Sequence, residues 1–318
     1  MKKILLYALM IAGIGCLASC KSGGKPSADA GTNKEASPAP AEAQFPFPDI
    51  PTVLTEPDER KDFLIAHYWD NFNFSDTTLL QNRNITEQGF VNHISLLADG
   101  QTPEDKIEES IGNLCTHMEK QEPARKVFMQ LFDDYLYNPN SPLYNEPLYI
   151  IYLKRMLQSP ALDEARKSSL DFKLKLASRN LPGAKASDFT YYLPNGQART
   201  LQETNVKNNR LLLVFYDPEC PGCHEIMQEM IHDTALAAAV GTGQLTVLAI
   251  YTEGNPEAWE NDLSSIPSGW LAGTDREAIK LGALYDLKAM PSLYLLDGEK
   301  RVLLKDAPYS RIRTELGL

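Results

Sequence analysis

Two cysteines carry the sharpest chemical signal in this sequence. Cys220 and Cys223 flank Pro221-Gly222, directly after the apolar run Leu211 to Tyr216. That run reads as a buried parallel strand, and Pro221 suits the first turn of a helix. A strand, a Cys-x-x-Cys turn and a helix point to thiol–disulfide exchange. A helix start offers free backbone N–H groups and a partial positive charge, so a thiol placed there ionises more readily than a free one. The thiolate of Cys220 would attack a disulfide, and the spacing lets Cys223 reach back and resolve the mixed disulfide so formed.

The same stretch read one residue further, Cys220-Pro221-Gly222-Cys223-His224, also spells the attachment motif of a c-type haem, with Met290 as a second axial ligand. The apolar strand before the motif and the strand pattern around Met290-Pro291 speak against a small helical cytochrome. One Cys-x-x-Cys pair supplies two of the four ligands a zinc site needs. His67, His93, His117 and His232 form no cluster. No metal or dissociable cofactor is therefore expected. Cys115 falls on the helical stripe Ile107, Ile111, Leu114, Cys115, Met118 and reads as a buried core thiol.

What positions the pair begins with the leader. Lys2 and Lys3, an apolar stretch from Ile4 to Leu17, and Leu17-Ala18-Ser19-Cys20 read as an export signal over residues 1–19. A small-residue cleavage site ending on cysteine is similar to the bacterial lipobox, which makes Cys20 the lipidation residue. The apolar stretch is short for a span of about 20 residues. Residues 20–44 are rich in Gly, Ser, Ala and Pro and read as a flexible tether. The formal charge is −11, two units more acidic without Lys2 and Lys3. With no basic run, this argues against nucleic acid and against an electrostatic hold on anionic lipid. Cysteine is too sparse for a disulfide-stapled scaffold.

The remaining residues suffice for two domains of ordinary size. Residues 45–181 have helical spacing throughout and read as an all-helical domain. Thr102-Pro103-Glu104-Asp105 looks like a capped helix start, and Val127, Phe128, Leu131, Phe132, Tyr135 and Leu136 mark another helix, ended by Asn138-Pro139. Ser159-Pro160 reads as a further start, with Leu162, Ala165, Ser169, Phe172 and Leu176 along one stripe. The aromatics around Tyr68-Trp69 fit a core better than a binding face. In residues 182–318 the period changes. Phe189 to Leu193 and Ala198 to Leu201 form a hairpin around Asn195-Gly196, Leu211 to Tyr216 and Leu245 to Tyr251 are buried strands, and Cys220 to about Val240 is a helix. A short helix over Pro256 to Leu263, a helical stretch from Arg276 to Tyr285, and a hairpin of Ser292 to Asp297 with Arg301 to Lys305 complete the pattern. The fold class is α plus α/β: a helical domain, then an α/β/α sandwich with a mixed central sheet. The cysteine pair lies at the carboxyl end of a strand, where such sheets place their sites.

Several stretches of this second half point to one family. They are Gly183, Ala186, Asp188, Phe189 and Thr190, the run Leu212 to Tyr216 with its Cys-Pro-Gly-Cys, Leu284-Tyr285-Asp286-Leu287, and Met290-Pro291-Ser292-Leu293-Tyr294. On them the chain resembles the thioredoxin fold, specifically the exported, membrane-tethered thiol–disulfide oxidoreductases of the TlpA and ResA type. The resemblance implies a cis peptide before Pro291, facing the redox pair and shaping a substrate groove. Tyr68-Trp69-Asp70-Asn71-Phe72 and the run Tyr135 to Pro142 extend it to a group of Bacteroidetes-type lipoproteins whose helical first domain has no assigned role.

Two departures from the TlpA and ResA pattern matter. Glu219 stands where the family has a tryptophan, with Asp217 nearby, and their charge opposes thiolate formation at Cys220. Val214 and Ile226 stand where related proteins carry an acid, so the proton of Cys223 has no assigned acceptor; His224, Glu225 and Glu253 are the candidates. A less stabilised thiolate favours a reductant over a strong oxidant. The expectation is a lipid-anchored, exported oxidoreductase acting on protein disulfides and recharged by a membrane electron donor. The competing reading is a non-catalytic binding or scaffold lipoprotein, since fold does not fix function. A peroxidase of the same fold would carry threonine at Asp217.

Overall fold

The computed structural model describes residues 44–318. The leader, Cys20 and nearly all of the tether lie outside the described residues. The first part is helical: α1 (Pro57–His67), α2 (Thr77–Gln81), α3 (Thr86–Leu97), α4 (Glu104–Met118), α5 (Glu122–Phe132), a π-helical turn (Asp133–Tyr137), α6 (Glu146–Leu157) and α7 (Glu164–Ala177). Their apolar faces close on one cluster centred on Trp69, Phe90, Leu114, Phe128, Phe132 and Tyr152. Each large apolar side chain buried there contributes about 1.5–3 kcal/mol. Cys115 sits inside it, fully buried, and the Tyr68-Trp69 aromatics are core as expected. Among the described residues no helix is long and apolar enough to cross a membrane.

Local chemistry relocates two helix starts. Helix α4 begins after Pro103 without a side-chain cap, because the Thr102 hydroxyl is spent on Asp99 and the Leu96 carbonyl. Helix α7 begins at Glu164, capped by Asp163, whose carboxylate accepts from the Arg166 N–H at 2.8 Å. Ser159 instead closes the end of α6, so the expected stripe is out of phase. Leu170 and Ala177 are buried while Phe172 faces solvent.

The second part is built on strands β1 (Thr190–Tyr192), β2 (Ala198–Thr200), β3 (Arg210–Tyr216), β4 (Thr246–Tyr251), β5 (Leu271–Thr274), β6 (Ser292–Asp297) and β7 (Val302–Leu304). They form a seven-stranded sheet in the order β2-β1-β5-β4-β3-β6-β7. It is mixed: β3, β4 and β5 run parallel, and β6 lies antiparallel to β3. Alternation along β3 divides the core. Leu212, Val214 and Tyr216 face the side covered by α8 (Pro221–His232), α9 (Thr234–Gly241), α10 (Pro256–Asp262) and α12 (Tyr309–Leu316), and Leu211, Leu213 and Phe215 face the side of α11 (Ala278–Leu281) and Tyr285.

Strand β5 and helix α12 have no counterpart in the sequence reading. The strand is only four residues long and includes Gly273, which packs flat under the Tyr191 ring; a Cβ there would stand 2.5 Å from a ring carbon. The single helix expected from Cys220 to Val240 is two. Asp233 takes an extended conformation between them and its carboxylate accepts from Ala235 and Leu236, a cap worth about 1 kcal/mol.

The helical and sheet parts meet through polar groups that lead toward Pro291. Asn180 donates to the Leu284 carbonyl at 2.9 Å, and the Tyr137 hydroxyl to Asp286 at 2.9 Å. Glu146 of α6 takes both Lys288 at 2.6 Å and Lys305 at 2.9 Å, and Lys288 also lies against the rings of Tyr137 and Tyr144.

Candidate redox site

Strand β3 delivers the chain to the site, and a tight turn aims it. After Tyr216 the Asp217 carboxylate accepts from the Glu219 N–H at 3.0 Å, and the Asp217 carbonyl accepts from the Cys220 N–H at 3.1 Å. Cys220 is thereby set as the N-cap of α8, with extended dihedrals (φ −88°, ψ 120°) and its carbonyl accepting from His224 at 3.2 Å. Pro221 occupies the first helical position, where its missing N–H costs nothing.

The two thiols have different surroundings. Cys220 is half-buried at the surface; Cys223, one turn into the helix, has no exposure at all and packs with Val214, Met227 and Leu293. Both are free, and Cys220 is near enough to Cys223 to oppose its ionisation. Burial pushes the Cys223 thiol up to about 12; the Asp217 N–H, donating to its sulfur at 3.3 Å, works against this, and the neighbouring Cys220 adds to it.

The Met290–Pro291 peptide is cis, and the Met290 carbonyl lies 3.5 Å from where a Cβ on Gly222 would stand, so this loop faces the first turn of α8. Cys220, Cys223 and Pro291 are thus brought together from β3, α8 and the approach to β6.

Of the candidate proton acceptors, His224 and Glu225 are exposed, while Glu253 pairs with Lys280 and lines a separate cleft with Tyr192, Trp259 and Arg276. Behind Cys223 lies a small cavity of about 50 Å³ lined by Tyr216, Pro218, His224 and Asp262 among others. Tyr216 and Asp262 were not singled out by sequence. Tyr216 could have been, as the last residue of β3 on the Val214 face; nothing in the spacing marks Asp262.

Residues 19–180 match the family described as Domain of unknown function (DUF5106), and residues 197–305 match the family described as Thioredoxin-like domain. A thioredoxin-like protein from Bacteroides caccae is 36% identical and superposes with a TM-score of 0.77, over 87% of this chain and 99% of that one. The chain belongs to the DUF5106 family, with a thioredoxin-like domain at its C-terminal end. Also similar are a conserved protein of unknown function from Bacteroides fragilis (37% identity, TM-score 0.40, 42% of this chain and 98% of that one) and a domain of a possible thiol-disulfide isomerase from Cytophaga hutchinsonii (26%, 0.39, 44% and 93%). No curated protein matches the chain.

Proposed function

We propose that this protein is a thiol–disulfide oxidoreductase that reduces or exchanges protein disulfides. One observation carries the reading: a half-exposed Cys220 caps a helix while a buried Cys223 waits within reach of it. Cys220 attacks a substrate disulfide, and Cys223 then displaces the substrate by closing the Cys220–Cys223 bond. The Pro291 loop forms the opposite wall of the groove. A haem at the same motif is disfavoured because a thioether at Cys223 would have to form inside the packed core around Met227 and Leu293. Insulin reduction tests the reading directly. The wild-type chain turns over with a chemical reductant and the Cys220→Ser chain does not. Full cellular activity of the Cys220→Ser chain would favour the scaffold role instead.

The location of this chemistry is also part of the proposal. The leader and Cys20 support an exported, lipid-anchored protein facing the periplasm from either membrane. Exported thiols drift toward disulfide, so work as a reductant needs a membrane electron donor. Incorporation of an alkyne-tagged fatty acid that is lost on Cys20→Ser tests the anchor.

A further inference from the structure

Resolution of a mixed disulfide begins with the loss of a proton that the surroundings of Cys223 hold in place. The thiol is fully buried and its ionisation is opposed by that burial and by Cys220 and Asp217. Asp217 is poorly disposed to take the proton, since its carboxylate is engaged by the Glu219 N–H and its backbone N–H already donates to the sulfur. What does lie beside Cys223 is the cavity between α8 and the end of α10.

Three features make that cavity a route. At about 50 Å³ it exceeds the roughly 10–15 Å³ that one water molecule requires. The Tyr216 side chain enters it almost fully buried, and its hydroxyl makes no hydrogen bond of normal geometry although the Asp262 carboxylate is its near neighbour. A buried hydroxyl left so is costly unless water or an acid serves it. The carboxylate of Asp262, the last residue of α10, lines the same cavity and is half-buried, so it reaches both Tyr216 and solvent. Burial first, then the charge and close approach of Asp262, and to a lesser degree Tyr251 and Cys223, push Tyr216 well above the ordinary phenol range. The hydroxyl therefore stays neutral, able to donate to Asp262 while accepting from water.

Resting on the thiol–disulfide reading above, we propose that Tyr216 and Asp262 carry the proton of Cys223 out of the core through cavity water when the mixed disulfide is resolved. Water takes the thiol proton and passes it along the Tyr216 hydroxyl to the Asp262 carboxylate, which releases it to solvent. The Cys223 thiolate attacks Cys220 Sγ, the bond from Cys220 to the substrate sulfur breaks, and the electron pair leaves on the substrate, which is protonated from solvent. The dithiol is oxidised by two electrons and the substrate disulfide is reduced to two thiols. The titratable groups facing Cys223 and the relay are Cys220 and His224 of α8, Asp217 of the preceding turn, Tyr216 of β3, Tyr251 of β4 beside it and, beyond, Asp262 of α10. Tyr216 and Asp262 act as positioning and relay groups; neither bonds to substrate.

Stopped-flow reaction of the reduced full chain with dithiobis(nitrobenzoate) separates the steps. A first, reagent-dependent release of nitrothiolate reports attack by Cys220, and a second, reagent-independent release reports resolution by Cys223. Asp262→Asn and Tyr216→Phe should slow the second phase about 10- to 100-fold at neutral pH and move its pH midpoint upward, leaving the first phase unchanged. Asp262→Glu should restore the second phase. An unaltered pH profile of the second phase in both variants overturns the relay, as does equal slowing of both phases, which marks a structural defect. Absence of any second phase in the wild-type chain overturns the thiol–disulfide reading itself.

Discussion

Lys288 Nζ stands 2.6 Å from Glu146 Oε1, joining sheet domain to helical domain three residues ahead of Pro291, with the two side chains only 5% and 7% exposed. Glu146 also receives Lys305, so one carboxylate serves two buried ammonium groups. Burial alone would lower the Lys288 pKa, but Glu146, Tyr144, Asp286 and Asp306 together hold it above the ordinary lysine range. Removing the shared acid takes from buried Lys305 its carboxylate partner and leaves Lys288 only the longer contacts to Asp286 at 3.2 Å and Asp306 at 3.7 Å. Glu146→Ala should therefore cost about 3–5 kcal/mol in urea unfolding. A double-mutant cycle with Lys288→Met should show coupling of at least about 1 kcal/mol. Additive single effects would mean that the pair does not join the domains energetically.

His93 gives the helical domain a signed pH dependence. Its ring is fully buried; Nδ1 accepts from Trp69 at 3.1 Å and Nε2 faces the Ser110 hydroxyl at 2.7 Å, which itself donates to the Ile65 carbonyl. That arrangement fits a neutral imidazole, and burial lowers its pKa to about 3. The folded value lies below the unfolded one of about 6.5, so the unfolded state binds the extra proton. This contribution is fully present above about pH 6.5 and lost as pH falls toward 3, at about 1.4 kcal/mol per unit within the window. His93→Gln should flatten the stability–pH slope between pH 6 and 4 by one proton; parallel slopes would contradict the assignment.

Thiol reactivity should follow burial. In the native Cys223→Ser chain, iodoacetamide at neutral pH should label Cys220 and spare Cys115, read peptide by peptide over the described residues. In the native Cys220→Ser chain both Cys115 and Cys223 should stay unlabelled, because burial pushes both thiols up to about 12. Rapid native labelling of Cys223, read by peptide mass, would place its sulfur at the surface.

Gly273 tests the packing of the strand that sequence reading missed. A methyl there meets the Tyr191 ring and the Tyr192 carbonyl at 3.3 Å, so Gly273→Ala should cost about 1–3 kcal/mol through displacement of β1. An unchanged urea midpoint would mean that the ring has room to move.

These residues also indicate what a linear pattern can carry. The buried run Leu211 to Tyr216 and the Cys-Pro-Gly-Cys turn were legible because strand burial and turn chemistry are local, while the cis peptide at Met290-Pro291 followed from the family resemblance. Strand β5 was not, since its four residues with a central glycine make a strand only beside β4 and under Tyr191. Neither was the break at Asp233, because a capping carboxylate between the last turn of α8 and the alanine-rich α9 fits the period of one long helix until its own dihedrals are known. The same limit applies at the site. Cys220 and Cys223 could be named from their types and spacing and Pro291 from the family resemblance, whereas Tyr216 and Asp262 matter only through a cavity formed by β3, α8 and the end of α10. The ion cluster around Glu146 joins positions more than a hundred residues apart and left no trace in spacing.

The most direct measurement of the central claim is capture of the intermediate in the cell envelope. The Cys223→Ser chain should accumulate discrete adducts joined through Cys220 that vanish on reduction and are absent when Cys220→Ser is added. A Cys223→Ser chain that remains free of Cys220 adducts in cells, while its thiol stays reactive to small reagents, would contradict exchange with protein disulfides.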